Sequence, residues 1–292
     1  MFPRRFLLSY IFLWAIFIPT NSVCGQSSWE RVSTNLFDKN FEILTADPDG
    51  KVIFLASDKN LYRTLDGGSQ WENIFGLRGN GRLNFVQPDG TKRLFLLSTE
   101  GVFKSGDGGK NWKTVSGLNP DAHRVLVPPS NPGKVYLVMP TTNCGPTDIA
   151  GVCVSQDGGE NWVSLTPRDF RIGYVDPLLV HPHNGSLIFT AGAKTGPGTW
   201  RKTRTADARI ARSRDGGKSW EVLNDGLPEH ISASIEAVSM DVWNGGYALF
   251  GGTTDGDIFY SADEGNSWRR IIQGIGPVSK AHHYHNLQAS AA

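Results

Sequence analysis

Short apolar runs recur along the chain, separated by clusters of Gly, Asp, Ser and Asn. The first set reads Phe41-Glu-Ile-Leu-Thr-Ala, then Lys51-Val-Ile-Phe-Leu-Ala56, then Leu61-Tyr-Arg-Thr64, then Trp71-Glu-Asn-Ile-Phe75. Runs of this length, rich in β-branched and aromatic residues and bounded by turn formers, predict strands rather than helices. Four runs make one unit, and five units extend from about residue 41 to 273. Two further runs stand alone. Ser28-Trp29-Glu-Arg-Val32 resembles a last strand without its own unit, and Pro277 to Leu287 resembles a first strand without followers.

A different pattern opens the chain. Arg4 and Arg5 precede an apolar stretch from Phe6 to Ile18, followed by Pro19-Thr-Asn and Ser22-Val-Cys-Gly25. A basic start, a short apolar run and small residues predict a secretory signal over residues 1–25, cleaved near Cys24 or Gly25. The apolar run is shorter than the roughly 20 residues a spanning helix needs. A retained anchor and a lipid-modified Cys24 are the alternatives. Export places Cys144 and Cys153 in an oxidising compartment, where a disulfide between them is expected.

Within the strand units one motif occurs five times. It reads Thr64-Leu-Asp66-Gly-Gly-Ser-Gln-Trp71, Ser105-Gly-Asp107-Gly-Gly-Lys-Asn-Trp112, Ser155-Gln-Asp157-Gly-Gly-Glu-Asn-Trp162, Ser213-Arg-Asp215-Gly-Gly-Lys-Ser-Trp220 and Ser261-Ala-Asp263-Glu-Gly-Asn-Ser-Trp268. The aspartates lie 41, 50, 58 and 48 residues apart, a period that means a propeller or a solenoid. Each copy sits between two strand-like runs, so it is a hairpin turn. Asp accepts backbone N–H groups, Gly supplies positive φ, and Trp anchors the outgoing strand by burial.

These copies resemble the Asp-box, or BNR, repeat, S-x-D-x-G-x-x-W. Thr64 in place of Ser and Glu264 in place of the first Gly leave the Asp, the second Gly and the Trp intact, so those turns are expected to form. The resemblance covers essentially all of residues 26–292 as a single domain. Together with four strands per unit, it implies an all-β fold, a β-propeller with four-stranded blades. Five full blades are expected, with a partial sixth formed by the two termini; a five-blade ring with loose ends is the alternative. The family includes sialidases, other glycosidases, sortilin-type receptors and photosystem II assembly propellers, so it implies fold far better than activity.

Composition sharpens this picture. The chain has 292 residues with 34 Gly, 9 Trp, 3 Cys and a net charge of +1. A hydrophobic share of 39% supports a packed core. Near-neutral charge argues against a nucleic-acid binder, and three cysteines are too few for a disulfide scaffold. Loss of Arg4 and Arg5 with the signal would take +1 to about −1. Gly and Trp are abundant because the turns use them.

Candidate chemistry lies outside the repeats. Aligning the first strands on Pro48, Pro88, Pro128, Pro182 and Val242 places Glu42, Arg82, Ala122, Asp176 and Glu236 at one ring position near a channel mouth. Glu42, Asp176 and Glu236 would then be the candidate carboxylates of a glycosidase. A solvated polar channel is the plainer reading. Likewise His181 and His183 read as turn histidines, and His282, His283 and His285 as part of a chain-end strand. No metal or cofactor is expected.

Asp-box turns and first-to-second strand turns should share one face; second-to-third and interblade loops should share the other. The long loop from Lys194 to Arg209 carries Trp200, Arg201, Lys202 and Arg204 against one acid, Asp207. Interblade loops add Arg78, Arg82, Arg168 and Arg171. A basic face suits an acidic glycan or an acidic protein patch, with Trp200 placed to stack on a sugar. A mobile solvated loop is the alternative.

A sialidase implies three arginines, a Tyr–Glu pair, an Asp acid and an early Arg-Ile-Pro. The nearest string here is Arg171-Ile172-Gly173, mid-chain and without Pro, and Tyr174 has no assigned Glu. The expectation is therefore a monomeric, exported, non-enzymatic binding or scaffolding propeller, secreted or periplasmic. Membrane contact is expected only through the signal segment or an associated complex. A sialidase-like hydrolase and an assembly factor for a membrane complex are the alternatives.

Overall fold

A computed structural model describes residues 36, 38, 41–46, 50–78, 83–89, 92–116, 118, 122–128, 130–139, 151–167 and 170–279, with the backbone alone for 42–44 and 84–89. The expected signal segment, Trp29, Cys144 and the histidines from His282 to His285 lie outside the described residues. Among those described, no helix is long and apolar enough to cross a membrane.

Among the described residues, twenty strands form five four-stranded antiparallel sheets. The first holds β1 (Phe41–Ala46), β2 (Ile53–Ser57), β3 (Asn60–Thr64) and β4 (Glu72–Gly76). The second holds β5 (Leu83–Asp89), β6 (Arg93–Ser98), β7 (Gly101–Ser105) and β8 (Lys113–Thr114). The third holds β9 (Arg124–Leu126), β10 (Val135–Met139), β11 (Gly151–Ser155) and β12 (Val163–Ser164). In the fourth, β13 (Tyr174–His181), β14 (Asn184–Ala193), β15 (Arg209–Ser213) and β16 (Glu221–Leu223) enclose one helix, α1 (Pro197–Thr203), between β14 and β15. The fifth holds β17 (Ile235–Trp243), β18 (Gly246–Thr253), β19 (Ile258–Ser261) and β20 (Arg269–Ile272). Strand order follows chain order in each sheet, as short hairpin connections dictate.

The core lies between sheets, which explains why the second strands read as unbroken apolar runs. Neighbouring sheets cover both of their faces, so alternate side chains enter different interfaces. Leu94 and Leu96 pack toward the first sheet with Phe54 and Leu61, whereas Phe95 and Leu97 pack toward the third with Val135 and Leu137. Val135, Leu137 and Met139 enter that same layer, while Tyr136 and Val138 join Ile188 in the next. Phe189 and Ala191 complete the series against Leu249 and Phe259. Innermost strands touch in the order β1, β5, β9, β13, β17.

The repeated turns share one local network. The hydroxyl of Thr64, Ser105, Ser155, Ser213 or Ser261 donates to the first carboxylate oxygen of the following Asp, at 2.6–2.9 Å. The same hydroxyl accepts the amide of Gly68, Gly109, Gly159, Gly217 or Gly265, at 2.7–3.0 Å. Each Asp oxygen also accepts the amide four residues on, at 2.9 Å. Glu264 adopts φ 64° where the other copies have Gly, and its turn closes as expected. Of the five repeat tryptophans only Trp268 is fully buried; the others are half-buried. Two of them stitch sheets together: Trp112 Nε1 donates to Ile74 O at 2.8 Å and Trp220 Nε1 to Leu165 O at 3.0 Å.

Cations at the end of the third strands add to the stitching. Arg63 donates to Gly108 O, Lys104 meets Glu160 at 2.6 Å, and Arg212 donates to Glu264 O at 2.7 Å. In each pair the acceptor belongs to the next sheet's turn.

Candidate functional site

Two faces follow from the hairpins. The amides of Gly67, Gly158 and Gly216 donate to Lys51 O, Gly133 O and Ser186 O at 2.9–3.0 Å. Those bonds hold each repeat turn beside the first-to-second strand connection, on what we term the upper face. Leu77 N and Leu83 N donate to Lys59 O and Asp58 O, so the interblade and second-to-third connections share the lower face.

At the lower end of the innermost strands the pairing skips a residue. The register breaks between Phe41 and Ile43, between Leu83 and Phe85, between Val175 and Leu178, and between Ile235 and Ala237. The skipped positions hold Glu42, Asn84, Asp176 (with Pro177) and Glu236. Bulges re-aim the side chain they carry. Counting from Val125, which pairs with Leu137, puts His123 at the matching place in the third sheet. The proline-based alignment is therefore corrected: Asn84 and His123 stand at the ring position, not Arg82 and Ala122. Proline sits at different distances from the bulge in the second and third sheets, and proline position alone does not reveal the slip.

Asp176 and Glu236 do not line an open mouth. Asp176 is 1% and Glu236 is 2% exposed, which corrects their expected exposure to substrate. Asp176 Oδ1 lies 3.7 Å from His123 Nδ1, and the His123 ring stands edge-on to Tyr174 at 6.3 Å. Glu236 accepts the Ser279 hydroxyl at 2.6 Å. Burial of Arg124 lowers its hold on the proton, and the nearby Asp176 charge opposes that shift. The side chain of Glu42 lies outside the described residues. Asp176 and His123 thus form a partly buried polar contact between the third and fourth sheets, and Glu236 ties down the segment that follows the last strand.

The basic loop is built differently from its expected form. Residues 197–203 form α1, with Pro197 opening the helix and Arg204 closing it at φ 55°. Trp200 is 5% exposed and packs with Ala206, Ala208 and Ile231. This burial corrects its expected role as a sugar platform: a seven-residue helix needs an apolar anchor, because so short a helix is not stable alone. Lys194 N donates to Ala206 O at 2.8 Å and Ala206 N to Ser232 O at 3.1 Å, clamping both ends of the loop.

The loop's single acid is engaged. Asp207 lies 3.3 Å from Arg171 and 3.1 Å from Arg209, with His230 at 3.9 Å. Arg209 is itself buried, donating to Ala208 O at 2.7 Å and to Glu229 O. Burial lowers its pKa and Asp207 offsets that. Arg201, Lys202 and Arg204 remain exposed, with no salt bridge to a described residue. The Arg201 guanidinium lies 5.6 Å from the Trp200 ring centroid. Arg78 is exposed on the same face; Arg82 and Arg168 lie outside the described residues.

Comparison with solved structures defines the class. An ancestral GH74 enzyme superposes with a TM-score of 0.58 at 17% identity, over 80% of this chain and 32% of its own. The GH74 xyloglucanase of Xanthomonas campestris gives 0.55 at 19%, over 79% and 39%. The extracellular domain of a putative one component system from B. thetaiotaomicron gives 0.58 at 14%, over 85% and 30%. The chain spans about a third of each of these proteins. Together with the five meandering sheets, the likeness establishes a β-propeller fold. No family model matches the chain, and no curated protein is similar to it in sequence.

Proposed function

We propose that this protein is an exported β-propeller binding module that uses the lower face at α1 to hold an acidic glycan or acidic protein surface. One observation carries this reading. Arg201 and Lys202 are presented on a helix whose Trp200 is locked in the core, Arg204 closes that helix, and the loop's single acid, Asp207, is already held by two arginines. A rigid row of uncompensated cations lowers the ordering cost of binding an anion. On heparin or sulfated dextran resin the protein should elute at higher salt than its triple variant with Arg201→Ser, Lys202→Ser and Arg204→Ser. Equal elution of the two would remove the reading.

In the same proposal the five turns are Asp-box turns, and the chain is exported by cleavage near Gly25. Cys153, a disulfide-bonded residue buried in β11, pairs with Cys144. The two termini form a partial sixth blade. Support for that blade comes from the outer flanks: Ile53 and Leu55 on one side, and Phe250 and Tyr260 on the other, are only half-buried. The segment after β20 already turns inward, with Ile275 N on Gly256 O at 3.2 Å and Val278 N on Thr253 O at 2.9 Å.

A further inference from the structure

An open cleft of 610 Å³ lies on the upper face between the fourth and fifth sheets. Its walls are the β13–β14 turn, with His181, His183 and Asn184, and the β17–β18 turn, from Trp243 to Gly246. Arg214 and Glu264, from two repeat turns, also line it. The volume falls in the range of small-ligand sites.

Trp243 is the unusual residue. It lies outside the repeat, it is 50% exposed, and its indole is braced on Gly246, where an added Cβ would sit 3.3 Å from Nε1. Exposed indole held rigid on a tight turn is a platform that binds C–H faces at little entropic cost. The polar groups around it are planar and already oriented. Arg214 Nη1 lies 3.7 Å from Glu264 Oε2, both side chains about half exposed, so their charges compensate. Asn184 Oδ1 accepts the Ser186 amide at 3.1 Å, which leaves its NH₂ group to donate outward. His181 Nδ1 accepts the His183 amide at 3.1 Å. That bond fixes the neutral tautomer with its proton on Nε2, and burial lowers the His181 pKa in the same direction. The cleft therefore joins an aromatic platform to a donor–acceptor set of near-zero net charge.

We infer that this cleft is a binding site for a neutral glycan, with one pyranose ring stacked on Trp243 and its hydroxyls shared among Asn184, Arg214 and Glu264. An anionic ligand would have to displace Glu264 from Arg214. A purely apolar ligand would leave those polar groups unpaired.

The test uses the whole chain and four neutral probes, cellohexaose, maltohexaose, laminarihexaose and chitohexaose, with hexagalacturonate as an anionic fifth. Calorimetry and tryptophan fluorescence should show at least one binding with a Kd below roughly 1 mM. Trp243→Ala should weaken that binding about tenfold or more, and Asn184→Ala more mildly, with melting temperatures unchanged because both side chains are exposed. The triple variant at α1 should bind the same glycan as the parent does, which separates this site from the lower face. Failure of all four glycans to bind, or binding that survives Trp243→Ala, overturns the inference. Preference for hexagalacturonate over every neutral probe does so too.

Discussion

The repeat turns and the connection around α1 solve one problem in opposite ways. Each must hold a loop still at the rim of a sheet. A repeat turn does so within eight residues, through a hydroxyl, a carboxylate and two amides, and five copies agree to within a few tenths of an ångström. The α1 connection has no such local network. It is fixed by a tryptophan driven into the core and by an acid shared between two arginines from different elements. Local networks can be copied from blade to blade, so they serve the fold. Non-local anchors belong to one blade, and they leave exposed residues that differ from those of every other blade.

The largest expected effect tests the non-local anchor. Trp200→Ala should cost about 3–5 kcal/mol by cavity formation in a packed interface. It should also free α1, so polyanion binding falls although no cation is lost. Denaturant melts and resin elution would read the two consequences separately. If stability is kept, α1 is not held as described.

Next comes the closeness of the repeat turn to its neighbour. At Gly217, φ is +93° and an added Cβ would lie 2.4 Å from Leu165 Cδ1. Gly217→Ala should destabilise by about 2–3 kcal/mol, from backbone strain plus a clash. At Gly245 φ is also +93°, yet a Cβ would meet nothing within 4 Å. Gly245→Ala should therefore cost only the strain, about 1 kcal/mol. Similar losses at the two sites would show that packing of the turn on the preceding sheet contributes little.

Removing one node of the turn network is smaller still. Ser155→Ala leaves the Gly159 amide without its 2.7 Å acceptor in a buried setting and should cost about 1–2 kcal/mol. Acid should act on the same network. Asp215 and Asp263 are held at about 2, first by the hydroxyls of Ser219 and Ser267 and then by the amides of those residues. For Asp107, also at about 2, the Asn111 amide leads. A carboxylate depressed on folding adds stability that is complete above its ordinary pKa near 3.8 and lost as pH falls through its folded value. Melting temperature should therefore stay level from neutral pH to about 5 and fall between about 4 and 2, less steeply in Asp157→Asn. The smallest effect belongs to the exposed cations: the triple Ser variant at α1 should melt within about 0.5 kcal/mol of the parent.

Legibility followed the range of the interactions. The strand runs, the turn between them and its αL positions were readable because the hydroxyl and carboxylate bonds that close the turn span two to four residues. Glu264 shows how robust that signal is, since the turn closes although φ is positive without Gly. The inner ring was readable only in part. Asp176 and Glu236 do stand at bulges, but Asn84 and His123 were missed because a bulge shifts strand register without leaving a residue-level mark. Trp200 and Trp243 were the harder pair. Both lie outside the repeat, and Trp200 stands among Thr, Arg and Lys like a surface residue. Trp243 ends a strand before Asn-Gly-Gly, and that setting gave it no role.

From the sequence alone came the all-β class, the count of repeat turns, and the split between two faces, because these rest on periodicity and on contacts between near neighbours. Tertiary structure decided which polar residues are buried at the inner bulges, which tryptophan is an anchor and which is a platform, and that Asp207 is already engaged. Those outcomes depend on residues from different sheets meeting across an interface, and burial and charge pairing are properties of that meeting rather than of any segment.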